Sequence, residues 1–316
     1  MQTVVITGGT GLIGSALSKL LNQQRYQVVL LTRSAPKLIQ FSPEVQPTTI
    51  KAHWDPARQE IDDTVIANAD FILNLAGAGV ADKRWTEDRK KEIVQSRIDS
   101  GKLLVRSLER IPNKVKAVVN ASGVGWYGPD PQIPNPKPFT EDQPAYDDFL
   151  GRTCVAWEES IKPVSSLGKR LVILRTGIVM SNEGGALKEF KMPLNFGVAA
   201  ILGTGKQIMS WIHIEDLCRI FLKAIEGDEM QGVYNAVAPV PATNKNIATT
   251  LARNKNGKLF LPIRVPAFAL KLGLGEMSIE VLKSATVSSK KIEDAGFTFA
   301  FETIEHALKD LVGEKQ

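Results

Sequence analysis

An α/β fold built on a doubly wound parallel sheet, with a smaller C-terminal substrate lobe, is the architecture this sequence predicts. Three observations predict it. Short apolar runs alternate with helix-patterned segments as far as about residue 180. One of those runs, Val4-Val5-Ile6, opens into the glycine-rich stretch Thr7-Gly8-Gly9-Thr10-Gly11-Leu12-Ile13-Gly14 and then into helical spacing. Beyond about residue 180 the alternation gives way to glycine-rich loops and mostly helical segments. Strands that alternate with helices make a parallel sheet covered on both faces.

The glycine stretch is a strand, a tight turn and a helix start, since Ser15–Leu21 has helical spacing. Free backbone N–H groups and the dipole at a helix N-terminus favour an anion, so a bound pyrophosphate belongs there. Gly8 allows the turn, Gly11 lets the backbone approach phosphate, and Gly14 lets helix pack on strand. A glycine pattern alone is also what a flexible turn looks like. Here the strand before it, the helix after it and a second strand at Val28–Leu31 supply the context of a Rossmann-type dinucleotide site. Gly8, Thr10, Gly11, Leu12, Ile13 and Gly14 are its expected contacts.

Further along, Gln27–Leu31 reads as the second strand and Thr48–Ala52 as a third. Asp70–Leu75 is a strand that opens into Ala76-Gly77-Ala78-Gly79. A long helix follows over Thr86–Arg110, with Thr86 as N-cap and acidic Glu87 and Asp88 in the first turn. Ile93, Ile98, Leu103, Leu104 and Leu108 share one broad apolar face of it. Val115–Val119 is the next strand, and the proline-rich stretch Pro129–Pro144 is a loop. Phe149–Ile161 reads as a helix and Arg170–Leu174 as a strand. A helix near Glu215–Ile225 and a strand at Val233–Asn235 fall in the later part. The dinucleotide domain is expected over 1–180 and the smaller lobe over 181–316, with some later segments returning to the first domain.

Bulk composition narrows the class. The 316 residues are 43% hydrophobic and 23% charged, as in ordinary soluble globular proteins. The net charge of +5 comes from 39 basic and 34 acidic residues, and the basic ones are scattered. No block suits nucleic acid, so the surplus fits an anionic small ligand. No run reaches about 18 uninterrupted apolar residues, so a membrane span is not expected. Cys154 and Cys218 match no redox pair or zinc spacing, which fits a reducing cytoplasm. His53, His213 and His306 are too scattered for a metal site, and no metal is expected.

The cofactor is expected to be NADP(H). After the second strand an NAD-selective site places an acidic residue for the adenine ribose hydroxyls. This chain has Leu31-Thr32-Arg33-Ser34. A carboxylate repels a 2′-phosphate, whereas Arg33 can pair with it, flanked by the Thr32 hydroxyl. The alternative is a solvated surface arginine.

With the glycine loop and Asn74-Leu75-Ala76-Gly77 in place, the chain resembles the extended short-chain dehydrogenase/reductase superfamily, in its atypical, NAD-dependent epimerase/dehydratase-like part. It looks like the epimerase-family branch that carries its own short C-terminal extension, here from about residue 260. That narrower likeness rests on Ala81-Asp82-Lys83-Arg84-Trp85-Thr86, Ser96-Arg97-Ile98, Gly123-Val124-Gly125-Trp126-Tyr127-Gly128 and Ser210-Trp211-Ile212-His213-Ile214-Glu215-Asp216. Ala295-Gly296-Phe297, with Phe299 and Phe301, matches the branch's tail, so the likeness covers essentially the whole chain. The resemblance implies that Leu75, Ala76 and Gly77 line the cofactor and that Glu92 and Arg97 lie beside it. Arg175, Thr176, Gly177 and Val179 would approach its nicotinamide end.

The resemblance also exposes a departure. The superfamily's acid/base is a tyrosine with a lysine four residues on. The four tyrosines Tyr26, Tyr127, Tyr146 and Tyr234 are followed at that distance by Leu30, Pro131, Leu150 and Ala238. Leu150 and Cys154 stand where the dyad is expected. Ser122 lies one residue before the usual serine position, which Gly123 takes. Tyr127, expected at the mouth of the site, is a candidate substrate-side hydrogen bonder or proton donor, and equally an aromatic wall. Ser122 is the second catalytic candidate. Asp147 or Asp148 reads as a helix N-cap, and His213 as a buried histidine with a backbone partner. Lys83, Arg84 and Trp85 suit either an anionic substrate group or solvent. Two functions fit: an NADP(H)-dependent oxidoreductase or epimerase-like enzyme on a small anionic or sugar-derived molecule, or an NADP(H)-binding sensor or scaffold without chemistry.

Overall fold

Strand β1 (Thr3–Thr7) is buried at every position, as a β-branched run in the middle of a parallel sheet must be. In the computed structural model, which describes residues 1–35 and 49–313, it pairs in parallel with β2 (Gln27–Thr32). Helix α1 (Leu12–Gln23) connects them, burying Gly14, Leu17, Ser18 and Leu21. β3 (Thr49–Asp55) joins β2, and the expected first residue of that strand, Thr48, lies outside the described residues. The short β4 (Glu60–Ile61), which periodicity gave no reason to expect, folds back antiparallel on β3.

Helix α2 (Asp63–Asn68) is capped by the Asp62 side chain, and β5 (Phe71–Asn74) takes the other side of β1. Helix α3 (Glu87–Arg110) starts where its cap predicts, with Thr86 Oγ1 accepting from Arg89 N at 3.2 Å. Ile93, Leu103, Leu104 and Leu108 are buried, and Ile98 is half-buried. β6 (Ala117–Gly123) runs further than apolar composition suggests. Asn120-Ala121-Ser122-Gly123 has little strand character of its own, yet it pairs residue for residue with β7 (Arg170–Thr176). Helix α4 (Phe149–Ile161) lies between them, capped by Asp148, whose Oδ1 accepts from Gly151 N at 2.7 Å.

The chain then leaves the sheet through β8 (Ile178–Ser181), β9 (Gly184–Gly185), α5 (Ala186–Leu194), β10 (Val198–Leu202), β11 (Ile208–Met209) and β12 (Trp211–His213). Helix α6 (Ile214–Glu226) is capped by His213, whose Nδ1 accepts from Glu215 N at 3.2 Å. The strand expected at Val233–Asn235 runs over β13 (Gly232–Ala236) and returns to the large sheet beside β7. Then come β14 (Ala242–Thr243), α7 (Asn244–Asn256), β15 (Leu261–Val265), α8 (Ala267–Leu274), α9 (Ser278–Leu282), α10 (Lys290–Asp294) and α11 (Ile304–Val312).

The large sheet has the order β13-β7-β6-β5-β1-β2-β3-β4. Alternate residues of its strands feed two cores. Val4, Ile6, Val28, Leu30, Leu73 and Val119 face α1 and α6, while Val5, Val29, Leu31, Ile72 and Val118 face α3. Each fully buried branched side chain of this kind contributes roughly 1.5–3 kcal/mol. A third core gathers Met180, Leu187, Trp211, Leu251 and Leu308 from the later elements. Strand order reverses between β1 and β5, so the crevice beyond their C-terminal ends is where such a sheet takes a ligand. No helix among the described residues is long and apolar enough to cross a membrane.

Candidate functional site

The glycine turn is shaped by neighbours that leave no room for side chains. Gly8 sits at φ +65°, and a Cβ there would stand 2.8 Å from the Leu75 carbonyl oxygen. At Gly14 a Cβ would stand 2.5 Å from Gly9 Cα, so helix and turn touch backbone to backbone. Gly11 is the N-cap of α1 and has no side chain to cap the helix. The amides of Leu12, Ile13 and Gly14 in that first turn therefore remain for an anion. Thr10 and Gly11 are exposed at the turn's tip.

A buried polar brace fixes this turn against the loop after β5. Thr7 Oγ1 donates to Asn74 Oδ1 (2.7 Å) and accepts from the amides of Leu75 (3.0 Å) and Ala76 (3.1 Å). Ser100 of α3 donates to the same Asn74 oxygen at 2.6 Å, and Asn74 Nδ2 donates to Asn120 Oδ1 at 2.6 Å. Leu75 and Ala76 are thereby set against Gly8. Polar residues inside otherwise apolar strands were the available signal for Thr7, Asn74 and Asn120, and strand periodicity does not read it.

The expected residues on α3 fall on the same rim. Gly77 lies against the Arg97 guanidinium, where a Cβ would stand 2.9 Å from Cζ. Arg97 is buried, donates to the carbonyls of Ala78 (3.0 Å) and Ile93 (2.8 Å), and lies 4.6 Å from the Trp157 ring. Among the described residues no carboxylate pairs with it, and burial brings its pKa down to about 10. A buried cation without an anion is costly unless a ligand supplies one. Glu92 is exposed and held by Arg89 at 2.7 Å. From the other side, Gly185 brings Leu12 and Val179 together: a Cβ on it would stand 3.2 Å from the Leu12 side chain and 3.4 Å from the Val179 carbonyl. Thr32 ends β2, next to β1, and Arg33 follows in the turn, exposed and with no ion-pair partner among the described residues.

The groups expected to carry catalysis are buried and hydrogen-bonded. Tyr127 is only 1% exposed. Its hydroxyl donates to Asn235 Oδ1 (2.7 Å) and accepts from Arg175 Nη1 (3.2 Å), and its ring stacks on Phe139. Burial pushes the phenol up to about 12, against the pull of Arg175. The reason is the ion pair beneath it. Arg175 forks onto Glu158 through Nε (2.9 Å) and Nη2 (3.0 Å), with Trp126 3.5 Å over its guanidinium, and the loop after β6 folds inward to cover them. Ser122 donates to Glu158 Oε1 at 2.7 Å, so its hydroxyl is also engaged.

Leu150, expected at one dyad position, packs against Gly125, and Cys154, expected at the other, is buried, its thiol pushed up to about 11 by desolvation. His213 is buried with Nε2 3.4 Å from Asp310, and desolvation lowers its pKa despite that carboxylate, which is half exposed. Among the described residues no group of three His, Cys, Asp or Glu side chains is placed to hold a metal.

The chain is similar to known proteins over essentially its whole length. Residues 4–237 match the family described as NAD dependent epimerase/dehydratase, and residues 265–311 match a domain of unknown function, DUF1731. An epimerase family protein of Staphylococcus saprophyticus is 35% identical over 99% of this chain and 100% of its own length. The epimerase family protein YfhF of Bacillus subtilis is 34% identical over 100% of this chain and 99% of its own. The crystal structure of human epimerase family protein SDR39U1 with NADPH superposes with a TM-score of 0.84 at 30% identity, covering 98% of this chain and 99% of that one.

Proposed function

We propose that this chain, which belongs to the NAD dependent epimerase/dehydratase family, is an NADP(H)-dependent oxidoreductase or epimerase-like enzyme acting on a small anionic or sugar-derived molecule. The observation that carries the cofactor choice is Arg33: an exposed guanidinium at the end of β2, where NAD-selective sites hold a carboxylate. The NADPH in the human relative's structure supports the same choice. The residues fit such a cofactor: the uncapped start of α1 suits the pyrophosphate, Leu75 and Ala76 wall the crevice, and Arg97 offers it a buried positive charge.

When bound, the nicotinamide supplies hydride transfer. The chain's own part is to orient substrate and cofactor and to exclude water. Tyr127 and Ser122 contribute by holding Arg175 and Glu158, and through them the floor beside β6 and β7. A second reading, a cofactor-dependent sensor or scaffold, is supported by the sequence: no tyrosine in the chain is followed four residues later by a lysine. Steady oxidation of NADPH with any member of a panel of small carbonyl compounds decides for the enzyme.

Arg33→Glu tests the cofactor assignment. A charge-assisted hydrogen bond is worth about 1.5–3 kcal/mol, so NADPH affinity is expected to drop by roughly ten- to a hundredfold. NADH affinity is expected to hold or rise. Fluorescence titration of both nucleotides measures it, and an unchanged NADPH/NADH affinity ratio overturns the assignment.

A further inference from the structure

We propose that Arg84, held in place by the C-terminal extension, binds an oxyanion group of the substrate, a carboxylate or a phosphate. This deepens the functional reading above and rests on it. Arg84 lies in the loop between β5 and α3 and is exposed. Among the described residues it has no carboxylate partner. The carboxylates around it are taken by other cations. Asp82 is 3.6 Å from Arg89, while Glu87 (3.2 Å) and Glu276 (2.5 Å) both pair with Lys90. Arg89 holds Asp82 and Glu92, and Lys90 holds Glu87 and Glu276, so among the described residues Lys83 and Arg84 are left without a carboxylate partner.

The guanidinium is nonetheless positioned. It donates to the Leu272 carbonyl of α8 at 3.4 Å, and Gly275, just beyond α8, lies against it. Gly275 sits at φ +63°, and a Cβ there would stand 3.1 Å from Arg84 Nη2 and 3.6 Å from Nε. A side chain at 275 is strained by its backbone conformation and would press on the arginine. The extension thus presents bare backbone to one side of Arg84.

The loop that carries Arg84 is fixed as well. Trp85 Nε1 donates to the Val80 carbonyl at 2.7 Å, and its ring meets Phe149 edge-on at 4.7 Å between centroids. Phe149 opens α4. The residue that follows the cationic pair is thereby anchored on the first turn of α4. A planar arginine fork matches a carboxylate or a phosphate in two-point fashion, and Lys83 adds a point charge.

The test uses full-length protein saturated with NADPH, so that the cofactor's own phosphate sites are filled. Inorganic phosphate and malonate are titrated separately at constant ionic strength, following nicotinamide fluorescence and thermal midpoint. A saturable response to at least one probe is expected, and the stronger probe identifies phosphate or carboxylate as the group. Arg84→Gln is expected to weaken it by about tenfold or more, Arg84→Lys by less, with NADPH affinity unchanged. Gly275→Val is expected to weaken it too, with Arg84 still present. No saturable response in the loaded wild type, or an equal response in Arg84→Gln, overturns the role of Arg84 alone. A folded protein that cannot be loaded with NADPH overturns the cofactor reading and this one with it.

Discussion

Glu158→Ala is expected to cost about 3–5 kcal/mol of folding stability, the usual consequence of stripping one partner from a buried ion pair. Arg175 is 2% exposed and its fork is spent on Glu158, Tyr127 and the Glu141 carbonyl. Without Glu158 the guanidinium keeps its charge, because burial cannot neutralise an arginine at ordinary pH. Ser122 loses its acceptor in the same step. Urea unfolding measures the effect as a lower midpoint at unchanged slope. Glu158→Gln, which still accepts one hydrogen bond, is expected to lose less. The double change Glu158→Leu with Arg175→Met is expected to recover part of the loss, since an apolar pair leaves no charge behind. Wild-type stability in Glu158→Ala would show that water reaches the pair.

Gly14→Val carries the second large effect, this time on binding. The new Cβ would stand 2.5 Å from Gly9 Cα and 2.7 Å from the Gly8 carbonyl oxygen, all backbone atoms that cannot rotate away. Helix α1 must move off the turn, and the amides of Leu12, Ile13 and Gly14 move with it. Loss of NADPH affinity by about a hundredfold, ~2.7 kcal/mol, is expected. Far-ultraviolet circular dichroism should still report a folded α/β protein, because the sheet keeps its other partners. Unimpaired NADPH binding in this variant would mean that the cofactor lies elsewhere.

The parts legible in the sequence are those where local chemistry and tertiary need agree. The glycine turn, the Thr86 and Asp148 caps and the long apolar stripe of α3 each announce themselves in a few neighbouring residues. The strand at Val233–Asn235 is legible too, but nothing in it says which sheet it joins; pairing with β7 is a long-range choice. Tyr127 shows the same limit at the site. Its place after β6 predicts exposure at the crevice mouth, but the buried Glu158–Arg175 pair and Trp126 draw the loop inward. Asn74 and Thr7 were overlooked for a related reason, since a buried polar brace looks like an interruption of an apolar run. Arg84 and Gly275 are 191 positions apart in the chain, and only the fold brings the extension against that guanidinium.

The most direct measurement is a pair of fluorescence titrations of purified, cofactor-free protein with NADPH and with NADH. Saturable binding of NADPH, tighter than NADH by about tenfold or more, is the predicted result for a 2′-phosphate held by Arg33. Equal affinities, a preference for NADH, or no binding of either nucleotide to folded protein would contradict it.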